Sequence, residues 1–502
     1  MLHLPRFMLA APSSGSGKTM LTCGILQALC NRGLRPASYK CGPDYIDPMF
    51  HARVLGTPSR NLDPFFTDET TTRYLFARSA QKAGISVMEG VMGLYDGLGG
   101  IIEEASSYDL ACKTQTPVIL VVNAKGMSLS LIPLLKGFLA YQQPGHEVIK
   151  GVILNRATKM TAQLLKETIE RETGLALIGS VPVLEDCQVE SRHLGLVTPD
   201  EIADLKERIS RLADKLEETL DFDALLALAE EAVDYPKETV DDPEVGLFDS
   251  SFRNLDVTGG LLGHARTIDA ASSMRSLHST DAFPVRIAVA RDEAFCFYYQ
   301  DNLDLLEELG AELSWFSPLH DDRLPDGTAG LLLGGGYPEL YAAGLSKNEA
   351  MKLEIRHALT LGMPCLAECG GFMYLHERMQ DMQGQYYPMV GVVSGDSYRT
   401  KKLGRFGYIT LRAGEGQLLP QGQTIRGHEF HYFDSTSPGS DYHAKKPVTG
   451  RAWDCIHGGA HFAYGYPHLY YWSNPGFAAA FLCQAGKFKA EYFAEQECDS
   501  CE

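Results

Sequence analysis

Residues 11–19 read Ala-Pro-Ser-Ser-Gly-Ser-Gly-Lys-Thr and have the chemistry to hold a polyphosphate. Gly15 and Gly17, with Ser14 and Ser16 beside them, let backbone amides approach phosphate oxygens closely, and a helix starting at Lys18 adds a favourable dipole. Lys18 can reach the β- and γ-phosphates, and the Thr19 hydroxyl suits a magnesium ion. The loop departs from G-x-x-x-x-G-K-[ST] at Pro12, where the pattern has glycine. Carboxylates follow two later strand-like pieces: Asp44 within residues 41–47, and Glu89 and Asp96 within residues 89–97. Loops at strand C-termini meet at the ligand crevice of a doubly wound sheet, so Asp44, Glu89 and Asp96 are expected to converge on Thr19. Thr19, Asp44 and Glu89 form the expected Mg2+ set, because hard oxygens bind that ion. Turn chemistry is the plain alternative for each acid alone. Asn155, after an apolar run, is expected to face the nucleotide base.

A second constellation has a different chemistry. Cys369 ends a strand-like run and is followed by Gly370 and Gly371. A nucleophile on a strand-to-helix elbow needs small neighbours, and the following helix N-terminus is expected to favour the thiolate. Residues 334–336 are all glycine after another apolar run. Gly335, Gly336 and Gly370 are the expected amide donors of an oxyanion hole. His468 is the candidate base, with His428 and His431 as alternatives that spacing alone does not remove. Cys369 and His468 would make an acyl-transfer pair.

The elements that must position these groups alternate along the chain. Strands are expected at 7–10, 85–88, 118–122, 152–154 and 177–181, a helix over 18–32 capped by Gly33, and a strongly helical stretch over 198–233. Continuous apolar runs between helices imply a parallel sheet covered on both faces. The pattern fails between 234 and 284 and restarts with strands at 285–290, 313–316, 331–333 and 364–367. The expected organisation is an α/β P-loop domain over 1–233, a linker over 234–284, and a second α/β domain over 285–502.

The formal charge is −19 over 502 residues. That disfavours a general nucleic-acid or anionic-membrane surface, and no apolar run approaches a membrane span. No export signal is expected, and the cytoplasm is the expected location. Twelve cysteines are scattered without a framework, so free thiols are expected. The Cys498–Cys501 pair lacks the partners a zinc site needs.

At this point the chain resembles the cobyrinate, or hydrogenobyrinate, a,c-diamide synthases. The resemblance runs from Ala11 to about Phe481 and is poor only in the linker. It is carried by Ser16-Gly17-Lys18-Thr19, by residues 42–48 and 89–97, and by Ser191-Arg192-His193-Leu194-Gly195-Leu196. In the second half it is carried by residues 292–299, 334–339 and 426–432 and by Glu368-Cys369-Gly370-Gly371. The resemblance implies a first domain similar to dethiobiotin synthetase that spends ATP, with Mg2+, to activate a carboxylate as an acyl phosphate. It implies a second domain like the class I glutamine amidotransferases, in which Cys369 and His468 release ammonia. The partners it implies are glutamine and a tetrapyrrole polycarboxylate amidated at its a and c acetates, with Tyr45, Asp47 and Asp96 as substrate residues. Class I enzymes often carry Glu two residues after the histidine; here that residue is Tyr470, which leaves nothing in the sequence to orient His468. Nickel-sirohydrochlorin a,c-diamide synthase is the rival within this chemistry, and a P-loop switch or partitioning ATPase the rival outside it. The oligomeric state is open, a homodimer included.

Overall fold

The computed structural model describes residues 1–184, 199–241 and 285–499. Its two compact units are Met1–Gly246 and Leu247–Glu502. No described helix is long and apolar enough to cross a membrane. The Ser191–Leu196 stretch, residues 242–284 of the expected linker and the Cys498 and Cys501 side chains lie outside what is described.

The first unit is built on seven parallel strands in the order β3-β2-β4-β1-β5-β6-β7. These are β1 (Arg6–Ala10), β2 (Pro36–Cys41), β3 (Ser59–Leu62), β4 (Ile85–Glu89), β5 (Val118–Asn123), β6 (Ile149–Asn155) and β7 (Ala176–Val181). Apolar runs form most of them because their residues are buried, as all of β1 and β4 are; β2 is wholly buried too although it carries Ser38 and Lys40. β2, β3 and β4 lie on one side of β1 and β5, β6 and β7 on the other, so the direction of strand addition reverses beside β1. The phosphate loop therefore opens at the place where such sheets bind ligands. It leads into α1 (Lys18–Asn31), and Gly33 takes a left-handed conformation (φ 76°) just beyond its end. Ile209, Leu212 and Leu216 of the helix Pro199–Thr219 are fully buried, and a Cβ on Gly24 of α1 would come within 2.6 Å of Leu216. The stretch expected as one helical region is two helices, broken where Asp221 caps Phe222–Glu230 by accepting from the Ala224 amide.

Packing of this unit continues past the expected boundary at 233. Tyr235 is buried, and its hydroxyl donates to the Thr114 carbonyl at 2.6 Å. Its ring lies 4.6 Å from the guanidinium carbon of Arg6, which is itself fully buried and donates to backbone carbonyls of Leu4, Thr114 and Val233. A buried arginine needs such partners, so the first residues of the expected linker complete the fold of the first unit.

The second unit has a six-stranded sheet in the order Ala311–Phe316, Val285–Ala290, Thr328–Leu333, Cys365–Glu368, Phe462–Gly465, His457–Gly458. All pairs are parallel except the last. This is the expected α/β architecture. The sequence reading did not foresee the antiparallel sheet beside it, in the order Ala452–Cys455, Tyr442–Lys445, Phe406–Ala413, Thr424–Phe430, His468–Leu469. Its strands alternate: Ile425, Gly427 and Glu429 point inward while Thr424, Arg426 and Phe430 are exposed. Half-buried strands leave no continuous apolar run to read.

Candidate active sites

Each unit holds one candidate site. In the first, Gly15 (φ 76°) and Gly17 (φ 93°) occupy the left-handed region that the tight loop requires. Ser14 and Gly15 are exposed, whereas Ser16 is buried and its hydroxyl donates to the Ser13 carbonyl at 2.9 Å. Asn155 was expected to face a base. Its amide donates to the Ser16 carbonyl at 2.8 Å, and a Cβ on Gly17 would strike its nitrogen at 2.3 Å, so it stands against the phosphate loop. It braces the loop from the end of β6.

Thr19 donates to Glu89 Oε1 at 2.6 Å, and Lys40 of β2 reaches the same oxygen at 2.9 Å. Lys40 also meets Asp47 at 2.5 Å. Parallel pairing explains the meeting, because Lys40 stands opposite Glu89 in the β2–β4 register. Asp47, expected as a substrate residue, is therefore buried and committed to Lys40. Asp44 accepts from the Ile46 amide at 2.9 Å and so opens α2 (Ile46–Leu55), with Tyr45 buried just before it. Asp96 accepts from the Gly93 amide at 2.9 Å and closes the turn of its own loop. The Lys18 ammonium donates to the carbonyl of Met92, a residue held at φ 48°.

Burial dominates the electrostatics. It pushes the Glu89 carboxyl up to about 7, against the pull of Lys40. Burial, and next the Lys40 charge, lower Lys18 to about 8. Burial works against the charge on Lys40 too, yet Glu89 and Asp47 hold it above the ordinary lysine value. Asp44 is raised by burial and by Asp47. Among the described residues no cluster of three or more His, Cys, Asp or Glu could hold a metal by itself. The Thr19 hydroxyl and Glu89 still fit magnesium: both are hard oxygen donors, and Glu89 Oε2 is buried without a hydrogen-bond partner, 3.7 Å from His51 Nε2.

In the second unit the strand Cys365–Glu368 runs into the short helix Gly370–Leu375. Cys369 sits at the elbow with φ 49° and ψ −100°, a strained conformation that costs about 1–3 kcal/mol. A Cβ on Gly371 would strike the Leu333 carbonyl oxygen at 2.1 Å, so no larger residue fits there. A backbone hydrogen bond at Gly370 reaches the Cys369 sulfur. A Cβ on Gly370 would come to 3.2 Å from the Gly336 nitrogen, and one on Gly335 to 2.4 Å from His468 Cε1. The glycine pair 335–336 thus touches the elbow at one residue and the His468 ring at the other. The Gly334 amide is already taken by the Tyr298 hydroxyl at 2.9 Å.

Strand pairing brings the three histidines together, with His428 opposite His468. His431 donates through Nδ1 to the Phe433 carbonyl at 2.5 Å and turns Nε2 toward Glu429 at 3.9 Å, so both its nitrogens face other groups. His428 lies between the Phe406 and Tyr408 rings, whose centroids are each 6.1 Å away. The His468 ring meets Gly335 of the glycine strip. Burial, with His431 second, lowers His468 to about 3, so it is a neutral imidazole at neutral pH. Burial first and then Glu339 push the Cys369 thiol upward, while the backbone hydrogen bond from Gly370 pulls it the other way, in the direction the helix N-terminus is expected to favour. Sequence reasoning missed Lys40, His51, Tyr298 and Glu368. Lys40, a lone charge inside a buried strand, was the one readable signal.

Comparison with known proteins agrees with both halves. Residues 7–197 match the CobQ/CobB/MinD/ParA nucleotide binding domain, and residues 286–462 the CobB/CobQ-like glutamine amidotransferase domain. The cobyrinate a,c-diamide synthase of Caldanaerobacter subterraneus subsp. tengcongensis is 38% identical over 89% of this chain and 91% of its own. That of Listeria monocytogenes serotype 4b is 39% identical over 93% of this chain and 97% of its own. That of Salmonella typhimurium is 39% identical over 85% and 86%. Similarity of this extent across both units, with a phosphate loop in one and a cysteine elbow in the other, places the chain in the cobyrinate a,c-diamide synthase family.

Proposed function

We propose that this enzyme amidates the a and c acetate carboxylates of cobyrinate or hydrogenobyrinate, drawing ammonia from glutamine and energy from ATP. The observation that carries the reading is the coexistence in one chain of the Thr19–Glu89 contact under a phosphate loop and the Cys369 elbow beside His468. In the first unit the loop amides and Lys18 bind the phosphates, with Lys18 exchanging its Met92 carbonyl for phosphate oxygens. Thr19 and Glu89 would hold Mg2+, which would neutralise charge between the phosphates and a carboxylate substrate. The carboxylate becomes an acyl phosphate, and ammonia displaces phosphate.

In the second unit, Cys369 is a neutral thiol and His468 a neutral imidazole in the resting site. His468 takes the thiol proton as sulfur attacks the glutamine amide and delivers it to the leaving ammonia, and water then hydrolyses the glutamyl thioester to glutamate, with His468 taking the water proton and returning it to the sulfur. The Gly335, Gly336 and Gly370 amides stabilise the oxyanion. Tyr45 and the loops that begin at Asp44 and end at Asp96 are the proposed macrocycle-facing region. The boundary of the synthetase portion is proposed beyond Tyr235.

The deciding experiment incubates the enzyme with ATP, glutamine and each macrocycle in turn. Diamide is expected from cobyrinate or hydrogenobyrinate. Product from nickel-sirohydrochlorin alone would replace the substrate assignment, and ATP turnover without any amide product would remove the ligase reading.

A further inference from the structure

We propose that Glu368 is the positioning residue that holds His468 as the base for Cys369. The inference rests on the reading of Cys369 and His468 as the amide-hydrolysing pair. Glu368 directly precedes the cysteine and is 9% exposed. Its Oε2 lies 3.8 Å from His468 Nδ1. Its Oε1 accepts from the Tyr471 hydroxyl at 3.4 Å, and the carboxylate also takes a backbone hydrogen bond from Leu469. One side chain therefore meets residues 468, 469 and 471, while its own backbone continues into the elbow. Glu368 pairs with Gly465 across the sheet, and the Cys369 amide donates to the Gly465 carbonyl at 2.8 Å. The distance from nucleophile to base is thus set through one short stretch of chain.

The other groups nearby have different work. Tyr470, two residues past His468, donates its hydroxyl to Asp301 at 3.2 Å and packs its ring on Tyr299. Glu429 faces His431. Asn302 pins the opposite side of the His468 segment, donating to the Leu469 carbonyl and accepting from the Tyr471 amide, each at 2.8 Å. That leaves Glu368 as the carboxylate directed at His468. An oxygen of Glu368 accepting from Nδ1–H fixes the tautomer whose Nε2 lone pair can take a proton, and although burial raises this carboxyl to about 8 at rest, the imidazolium that forms opposite it favours the ionised form, which in turn stabilises that imidazolium. At 3.8 Å the contact is longer than a hydrogen bond. A shift of less than about 1 Å on glutamine binding closes it, as catalytic contacts often tighten with substrate present.

Glutamine hydrolysis by the full-length wild-type enzyme is measured first. Its absence would remove the Cys369–His468 reading and this inference with it. With hydrolysis present, Glu368→Gln is expected to lower kcat about 10²–10⁴-fold while KM for glutamine stays within about threefold, and Glu368→Asp to recover part of the loss. A Glu368→Gln kcat within about threefold of wild type overturns the proposal and leaves the pair intact. Should the variant fail to fold, nitrogen-15 spectra of the histidine-labelled wild type decide. The His468 signal, assigned with His468→Gln, is expected to show the Nδ1–H tautomer, and an Nε2–H tautomer overturns the proposal.

Discussion

Thr19 and Glu89 share a 2.6 Å hydrogen bond across 70 positions of sequence. The contact joins the end of the phosphate loop to the end of β4, and Lys40 reaches the same carboxylate. The proposed phosphate chemistry of this unit rests on that meeting and on Lys18. Lys18→Ala is expected to lower synthesis about 10²-fold or more with either glutamine or ammonium as nitrogen donor, because carboxylate activation comes before nitrogen delivery. Amide product is measured with each donor. Ammonium-dependent synthesis at the wild-type rate would count against the loop assignment.

Cys369→Ala should separate the two chemistries. Glutamine-dependent synthesis is expected to fall to background, while ammonium-dependent synthesis stays within about threefold of wild type, since only acyl transfer needs the sulfur. Equal loss with both donors would contradict the division of labour.

Gly335→Ala tests the glycine strip. The added methyl would come within 2.4 Å of His468 Cε1, so the ring must move. Glutaminase kcat is expected to fall about 10²-fold, because misplacing a reacting group by about 1 Å costs that much. Full glutaminase activity in this variant would mean that His468 works from another position.

Tyr235→Ala tests where the first unit ends. It removes a buried ring stacked on Arg6 and a hydroxyl bonded to Thr114. The loss is expected to be about 3–5 kcal/mol in the unfolding free energy of this unit. Chemical denaturation measures it, and a change below about 1 kcal/mol would place Tyr235 outside the fold of the unit.

The second unit should be most stable near pH 6.5. Burial lowers His376 to about 4 and His428 and His468 to about 3. An unfolded chain takes up protons at these histidines below their ordinary value of 6.5 and the folded unit does not, so stability is lost as pH falls from there. Burial raises Glu339 to about 7 and Glu368 to about 8. These carboxyls keep protons that the unfolded chain releases above 4.5, so their effect lowers stability as pH rises toward 8. The histidines prevail below about 6.5 and the glutamates act alone above it. All three tryptophans, Trp315, Trp453 and Trp472, lie in this unit, so fluorescence follows its melting alone. Glu339→Gln should flatten the alkaline limb, and a melting temperature still climbing at pH 8 would contradict the scheme.

The sequence by itself determined the local devices. A phosphate loop and a cysteine elbow are contiguous, and their glycines and their place between strand and helix are written in adjacent letters. Most strands of the parallel sheets were readable for the same reason, since strands buried on both faces are mostly unbroken apolar runs, although β2, with Lys40, and β3 are not. Tertiary structure alone decided which distant groups meet. Lys40 rests on Glu89 because β2 pairs with β4 in one register. Asp47 serves Lys40, and Asn155 serves the loop. The place of His468 against Gly335 depends on an antiparallel sheet whose alternating strands carry no apolar run, and Glu368 comes to 3.8 Å from His468 through folding across 100 residues. Periodicity reports only which face of an element is buried; register and crossing decide what it is buried against.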